Sequence, residues 1–234
     1  MLLTRPMIGS LAVAIAVVAI PASPAAAEDG FKPIFDGKTL DGWDGDPRLW
    51  RVEDGAIVGQ TTKDNPTGHN TFLVWRGEPT APGDFELKVE FKLDNHNSGI
   101  QYRSFEIDAE KWRMGGYQAD IAGEKYMGIV YGEGWRGIMV QRGQRVHFTA
   151  DGKKKGEQIG DPAKLIEAVD MDGWNEYHII AQGPKMVQKI NGQTVAELID
   201  EHPKARREGL IAFQLHAGPP MTVHFRNIRL KTDE

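Results

Sequence analysis

Three short segments of the sequence alternate apolar side chains with polar side chains that can do chemistry. Alternate side chains of a β-strand point to opposite faces, so the polar members share the face away from the core. Carboxylate and imidazole groups can move protons near neutral pH, while amide and guanidinium groups can bind oxyanions and hydroxyls. The polar members are Gln101 and Arg103, Gln118 and Asp120, and Gln214 and His216.

The apolar members of the same segments predict which face is buried. The side chains expected to point toward the core are those of Ile100, Tyr102, Tyr117, Ala119, Ile121, Ile211, Phe213 and Leu215. The outward set therefore predicts a groove that can perform acid–base chemistry. Two plainer interpretations stay open: Arg103 forms a structural ion pair with Asp120, or His216 is an ordinary strand histidine.

The elements that must hold this groove are short strands. Residues 85–93 alternate five apolar side chains with four charged ones, which is typical of a half-buried antiparallel strand. Similar segments are predicted at 99–105, 116–121, 137–141, 146–149, 174–182, 186–190, 209–215 and 222–230. Asp151-Gly152 and Asn191-Gly192 favour tight turns. One short helix is predicted at 162–169, with Asp161 as its cap and Pro162 at its first position. The pattern predicts an all-β sandwich or jelly roll of two antiparallel sheets.

Composition excludes several classes of protein. The 234 residues include 28 basic and 33 acidic side chains, for a net charge of -5, which argues against nucleic-acid binding. Cysteine is absent, so disulfides and thiolate chemistry are excluded. Residues 1–27 are predicted to be a secretory signal peptide because Arg5 precedes an apolar run and three alanines end at Ala27. We therefore expect an exported protein, periplasmic or extracellular, with one domain at 28–234 and no membrane segment after cleavage.

A series of motifs in this order resembles the 3-keto-disaccharide hydrolase domain family, first described as a domain of unknown function. They are FKPIFDGKTLDGW at 31–43, WRVEDGAI at 50–57, DFEL at 84–87, NSGI at 97–100, GYQADI at 116–121, WNEY at 174–177, ING at 190–192 and FRNI at 225–228. The resemblance covers nearly all of residues 31–230. It implies a concanavalin-like jelly roll, export, and cleavage of sugars that carry a ketone at C3.

The implied substrate gives the groove residues roles. A ketone at C3 acidifies the C2 hydrogen, so a base can remove it and the aglycone at C1 can leave by β-elimination before water adds. We expect His216 and Asp120 to share the acid and base roles. The residues expected to bind substrate are Arg103, Gln101, Gln118 and Gln214, with Tyr131 and Trp135 as a stacking wall. Loop packing is the plainer interpretation of the two aromatic residues.

Two other functions stay open. The segment Glu106-Ile107-Asp108-Ala109-Glu110 is similar to the catalytic strand of laminarinase-type glycoside hydrolases, in which Glu106 and Glu110 would be the catalytic pair. If the strand from Ile100 is unbroken, however, these carboxylates face the core. The second alternative is a non-catalytic carbohydrate-binding jelly roll.

Metals and other partners are only weakly indicated. The remaining histidines lack a zinc-binding spacing, and we expect no metal or other cofactor. A divalent cation such as Ca²⁺ stays open because Asp94, Asn95 and Asn97 are close together, although without regular ligand spacing. The only expected partner is a carbohydrate substrate; the oligomeric state is not predicted.

Overall fold

The computed structural model describes residues 30–232, which are mostly strands. In chain order these are β1 (Lys32–Pro33), β2 (Trp43–Asp44), β3 (Trp50–Glu53), β4 (Ala56–Thr61), β5 (Thr71–Trp75), β6 (Phe85–Asp94), β7 (Asn97–Asp108), β8 (Arg113–Ala122), β9 (Val130–Glu133), β10 (Gly137–Val140), β11 (Gln144–Phe148), β12 (Lys154–Gln158), β13 (Asn175–Gln182), β14 (Lys185–Ile190), β15 (Gln193–Asp200), β16 (Leu210–Leu215) and β17 (Met221–Thr232). A one-turn 3-10 helix spans Ala109–Lys111, and helix α1 spans Pro162–Glu167. The predicted signal peptide lies outside the described residues.

The strands form two sheets. The large sheet has ten strands in the order β12-β11-β15-β14-β13-β6-β17-β4-β3, with β1 paired to the far end of β17. The small sheet has seven strands in the order β10-β9-β8-β7-β16-β5-β2. Pairing is antiparallel except between β11 and β15. The predicted all-β, jelly-roll sandwich with one short helix is confirmed.

Aromatic and aliphatic side chains fill the space between the sheets. Phe213 of the small sheet stacks on Phe225 of the large sheet at 4.0 Å between ring centroids, and Trp43 stacks on the other side of Phe213 at 4.9 Å. These side chains are buried, like the inward members of every long strand. Because the chain has no cysteine, this burial is the main source of stability.

Local signals predicted several elements well. Asp161 caps α1 by accepting a hydrogen bond from the Ala163 amide, and Pro162 is the first helical residue. Asn191 and Gly192 have φ values of 48° and 79° between β14 and β15, as a tight hairpin turn requires. The strands that the alternation did not predict are β1 to β5, β9, β12 and β15, most of which are short or have little clean alternation.

The hairpin of β7 and β8 bends over the outer face of the small sheet. Two irregularities interrupt the pairing of these strands, between Tyr102 and Phe105 and between Glu106 and Asp108. The hairpin tip then crosses β16, because the Phe72 amide in β5 donates to the Trp112 carbonyl at 3.0 Å. The tip therefore forms a wall that rises from the sheet.

A small second core holds this tip in place. Phe72, Val74 and Ala212 point away from the main core, and Met114 from the hairpin covers them. All four are buried. The apolar contacts fix the wall beside the polar part of the same face.

Candidate active site

The outer face of the small sheet carries four of the six polar side chains that the alternation placed there. Gln101 lies opposite Gln118, and Gly99 lies opposite Asp120 in the register of β7 and β8. These polar residues are almost completely buried although they face away from the main core, with exposed fractions of 0% for Gln101 and Gln214, 2% for Gln118 and 5% for Asp120. Neighbouring loops therefore cover them.

These loops enclose a cavity of about 320 Å³ above the small sheet. Its size is at the lower end for small-molecule sites. Its lining is mostly polar and includes four of the predicted site residues. The lining residues are Asn70, Asn97, Gln118, Asp120, Tyr126, Ile129, Tyr131, Glu133, Ile138 and His216.

A directional chain of hydrogen bonds runs along the cavity floor. Ser104 Oγ donates to Gln101 Oε1 at 2.6 Å, and Gln101 Nε2 donates to Gln118 Oε1 at 2.7 Å. Gln118 Nε2 then donates to Asp120 Oδ1 at 2.6 Å. Because each amide uses its oxygen as an acceptor on one side and its nitrogen as a donor on the other, the chain fixes the orientation of Gln118.

Gly99 makes room for this chain. A Cβ atom at Gly99 would lie 2.5 Å from Gln118 Cδ and 2.7 Å from Gln118 Nε2. The Gln118 side chain therefore lies directly over the Gly99 backbone. Any side chain at this position would displace the amide that contacts Asp120.

Asp120 is a buried carboxyl group with an unusual proton affinity. Its burial, more than any other cause, raises its pKa from 3.8 to about 7; the hydrogen bond from Gln118 opposes the rise and the charge of Glu133 adds to it. Its backbone is held firmly, since the Asp120 carbonyl accepts hydrogen bonds from the Tyr177 hydroxyl at 3.0 Å and the Gly128 amide at 3.2 Å. Asp120 can therefore hold or release a proton near neutral pH.

His216 follows β16 and lines the same cavity. Its Nδ1 atom lies 2.6 Å from the Ala217 carbonyl oxygen. A carbonyl oxygen can only accept a hydrogen bond, so Nδ1 carries the hydrogen and the neutral ring has its lone pair on Nε2. Nε2 has no hydrogen-bond partner among residues 30–232. The ring is therefore set up to accept a proton at Nε2.

Asn70 and Glu133 bridge the cavity from opposite sides of the sheet. Asn70 precedes β5 and Glu133 ends β9, with β8, β7 and β16 lying between those strands. Asn70 Nδ2 nevertheless donates to Glu133 Oε1 at 2.9 Å. Neither residue was predicted from the sequence. No alternation pattern indicated Asn70, because the strand that follows it, β5, is a continuous buried run.

Two buried polar atoms beside this cavity have no hydrogen-bond partner within residues 30–232. They are the acceptor Asn97 Oδ1 and the donor Gln214 Nε2. A buried polar group without a partner costs about 1–3 kcal/mol, so such atoms indicate a place for a polar ligand or water. Of the two residues, Asn97 lines the cavity and Gln214 does not.

Tyr131 lies on the cavity wall, in register with Gln118 across β8 and β9. Burial raises the pKa of its phenol, and the nearby charges of Glu133 and Asp120 add to the effect. Tyr131 therefore keeps its proton and can donate a hydrogen bond.

The predicted outward orientation of Arg103 is wrong. Arg103 is at the first irregularity of β7 with φ 44°, and its fully buried side chain points toward the large sheet. It donates to the carbonyls of Gly83 at 3.0 Å and Gly183 at 2.7 Å, and to Asp84 Oδ1 at 3.0 Å. The ion pair that forms is thus with Asp84 rather than with Asp120, and Arg103 ties the two sheets together.

The predicted stacking role of Trp135 is also not what the structure shows. Its ring packs edge-on against Tyr117 at 5.1 Å and Phe105 at 6.4 Å, and the Arg136 guanidinium covers it at 5.1 Å. Trp135 does not line the cavity. It is a packing residue at the edge of the main core.

The carboxylates of the segment 106–110 do not form a catalytic strand. β7 ends at Asp108, and Glu110 is in the exposed 3-10 turn. The irregularity at Arg103 also reverses the parity, so Glu106 does not face the core as the unbroken strand predicted. Instead it accepts a hydrogen bond from Arg76 at 2.6 Å. The arrangement required for the laminarinase-type alternative is absent from this described segment.

A larger cavity, of about 850 Å³, lies elsewhere, beside β1 and the loop before β6. Its walls include Pro33, Pro79 and Pro82, and of its acidic residues Glu78 and Asp84 the second is already bound by Arg103. No histidine is among its lining residues. Size alone therefore does not make it the better candidate.

Within residues 30–232, no group of three or more His, Cys, Asp or Glu side chains has an arrangement that could hold a metal ion. None of the helices in that part of the chain has the length and apolar character needed to cross a bilayer.

The fold and the site together define a jelly-roll protein with a polar cavity that is lined by an imidazole and a buried carboxyl group. The chain belongs to the family of 3-keto-alpha-glucoside-1,2-lyase-like domains, whose family model matches residues 30–231. A curated relative from Bacteroides thetaiotaomicron, named 3-keto-disaccharide hydrolase, is 34% identical over 90 residues. That match covers 35% of this chain and 30% of the relative, so the chain spans less than a third of that protein.

Solved structures share the fold at low sequence identity. A candidate glycosyl hydrolase from Parabacteroides distasonis matches with a TM-score of 0.57 and 19% identity, over 87% of this chain and 99% of that one. The carbohydrate-binding module CBM66 from Bacillus subtilis matches with a TM-score of 0.52 and 13% identity, over 82% and 96%. The β-glucanase of Bacillus licheniformis matches with a TM-score of 0.50 and 11% identity, over 87% of this chain and 97% of that one. At these identities the matches show the jelly-roll fold, which serves catalytic and non-catalytic proteins alike.

Proposed function

We propose that this protein is an enzyme that cleaves the glycosidic bond of 3-keto glycosides, including disaccharides. The observation that carries the proposal is the pairing, in one cavity, of an imidazole with a free Nε2 lone pair and a buried carboxyl group whose pKa is near 7. Family membership supports the same substrate class.

The proposed reaction begins with proton removal from C2. His216 Nε2 accepts this proton, and the electron pair of the C2–H bond becomes an enolate that includes the C3 oxygen. The enolate then collapses to form the C1–C2 double bond as the C1–oxygen bond to the aglycone breaks. Protonated Asp120 donates its proton to the departing oxygen, so the aglycone leaves as a neutral alcohol. Addition of water across the double bond then completes a net hydrolysis.

The other cavity residues supply hydrogen bonds. The Tyr131 hydroxyl is an available donor for the enolate oxygen or for sugar hydroxyls, and Asn97 Oδ1 is an available acceptor. Gln214, which the sequence predicted to bind substrate, is fully buried and does not line the cavity. Gln101 does not contact the substrate directly, because both of its amide atoms already form hydrogen bonds in the chain that orients Gln118. A cavity of about 320 Å³ suits a ligand with few sugar units.

The test compares a 3-keto glycoside with its unoxidised parent, using purified protein and chromatographic detection of the free aglycone. Release from the oxidised substrate alone is expected. His216→Ala should abolish it, while His224→Ala is the matched control, because His224 is on the outer face of the large sheet and pairs with Asp94. Equal release from both glycosides, or full activity of His216→Ala, would refute the proposal.

A non-catalytic sugar-binding role is the alternative outcome of this test, in keeping with the structural similarity to CBM66. Binding of the 3-keto glycoside without release of aglycone would establish it. The titratable lining of the cavity favours the enzyme, because binding modules that rely on stacking need exposed aromatic rings.

We also propose that the protein is exported, on the basis of the charged and apolar pattern in residues 1–27. Expression of the full chain should give a mature protein in the periplasm or medium whose first residue is close to Glu28. Retention of Met1 in a cytoplasmic product would contradict this.

A further inference from the structure

The turn between β6 and β7 has an unusual residue at a strained position. Only Asn95 and His96 connect the two strands, and their φ values are 70° and 73°. These two residues carry the chain from the large sheet to the small sheet, and glycine is the residue that adopts a positive φ without a steric penalty. A histidine at the second position is therefore unfavourable for folding and calls for another reason.

The contacts of His96 provide this reason. His96 Nε2 lies 3.2 Å from the Ala217 carbonyl oxygen, and its ring packs edge-on against His216 at 4.8 Å between centroids. Gly218 makes room for it, since a Cβ there would lie 3.0 Å from His96 Nε2. His96 thus reaches across from the β6–β7 turn to the loop after β16.

The carbonyl that His96 contacts is the one that sets the tautomer of His216. The Ala217 oxygen accepts from His216 Nδ1 at 2.6 Å and from His96 Nε2, while the Ala217 amide donates to Asn70 Oδ1 at 3.0 Å. Asn70 and His96 therefore hold Ala217 from both sides. Without His96, this carbonyl has one fewer donor to fix its direction.

We propose that His96 is a positioning residue that keeps His216 in the Nδ1–H tautomer, with Nε2 free to accept a proton. His96 acts through the Ala217 carbonyl and through its edge-on contact with the imidazole. The catalytic consequence rests on the proposed function, whereas the structural statement about the His216 tautomer stands without it. The strained turn is then a feature in which stability is sacrificed for the geometry of the site.

Three variants test the proposal by activity and melting temperature. His96→Gly relieves the strain and removes the donor, so we expect a melting temperature higher by about 2–4 °C and a kcat lower by about 10- to 100-fold, with KM changed little. His96→Gln keeps a donor at similar reach and should restore most of kcat. Asp54→Gly is the matched control, because Asp54 has φ 49° in the two-residue turn between β3 and β4 of the large sheet and should leave kcat unchanged.

A second measurement does not depend on turnover. Two-dimensional ¹⁵N NMR of the histidine rings, at about pH 8 and so above the ordinary histidine pKa of about 6.5, separates protonated from unprotonated nitrogens. Wild-type protein should show His216 with the hydrogen on Nδ1, and His96→Gly should show a mixture of tautomers. If the wild type turns over no 3-keto glycoside, the proposed function fails and this spectrum still decides the role of His96. An unchanged His216 spectrum in His96→Gly, an unchanged kcat, or a lowered melting temperature would overturn the inference.

Discussion

Replacing Asp120 by asparagine should make the protein more stable at neutral pH and at the same time much less active. In the folded protein, Asp120 keeps its proton up to about pH 7, whereas the unfolded chain releases it near pH 3.8. Between these values the folded state binds more protons, so the free energy of unfolding of the wild type falls as the pH rises. The amide of the Asp120→Asn variant does not titrate, and its oxygen can still accept the hydrogen bond from Gln118.

The size of this effect follows from the rise in pKa. Each tenfold change in proton affinity is worth about 1.4 kcal/mol, so a rise from 3.8 to about 7 corresponds to about 4 kcal/mol. Asp120 is almost completely buried, so solvent screens the effect little. The stabilisation of Asp120→Asn over the wild type should grow from near zero at pH 4 to about 4 kcal/mol at pH 7 and then remain constant.

Urea unfolding monitored by tryptophan fluorescence, repeated from pH 4 to pH 9, measures this difference directly. Asp64→Asn is the control, since Asp64 is exposed and its replacement should leave the curve parallel to the wild type. In the same preparations, Asp120→Asn should lower kcat on a 3-keto glycoside by about 10²- to 10⁴-fold. If Asp120→Asn and wild type have parallel stability curves between pH 5 and pH 8, the burial argument for Asp120 is wrong.

Three further substitutions separate the site from its supports. Gly99→Ala should displace Gln118 and lower kcat at least tenfold with a modest loss of melting temperature; unchanged kinetics would show that the amide chain can shift freely. Arg103→Met should lower the free energy of unfolding by about 3 kcal/mol in a urea titration, because it leaves buried carbonyl groups unpaired, yet the folded fraction should keep its KM. Trp135→Ala should lower the free energy of unfolding by about 3–5 kcal/mol, because packing against Tyr117 is lost. A higher KM without this loss of stability would show instead that Trp135 binds substrate.

Alternation predicted the floor of the cavity because β8 and the end of β16 are regular. Gln118, Asp120 and Gln214 have inward neighbours on both sides, and a period of two then leaves only one orientation. The same reasoning failed at Arg103, where an extra residue in β7 reverses the parity.

The sequence did contain a signal for this irregularity, although not in β7 itself. A Cβ at Gly116 would lie 2.5 Å from Ser104 Oγ, and one at Gly209 would lie 2.5 Å from both the Arg103 carbonyl carbon and the Ser104 oxygen. The bulge therefore fits only because both neighbouring chain segments have glycine beside it. Asn70 and Glu133 could not be found this way, since their contact crosses three strands and depends on the curvature of the sheet.

The bent tip of the β7–β8 hairpin can change in length without disturbing the sandwich. The tip is held by four apolar side chains of its own core and contributes nothing to the stacked rings between the sheets. Insertions or deletions in residues 107–113 would raise or lower this wall, and the strands that carry Asp120 and Gln118 would keep their register. Evolution can thus remodel the surface beside the cavity by changing one loop, while Gln118 and Asp120 stay on a rigid floor.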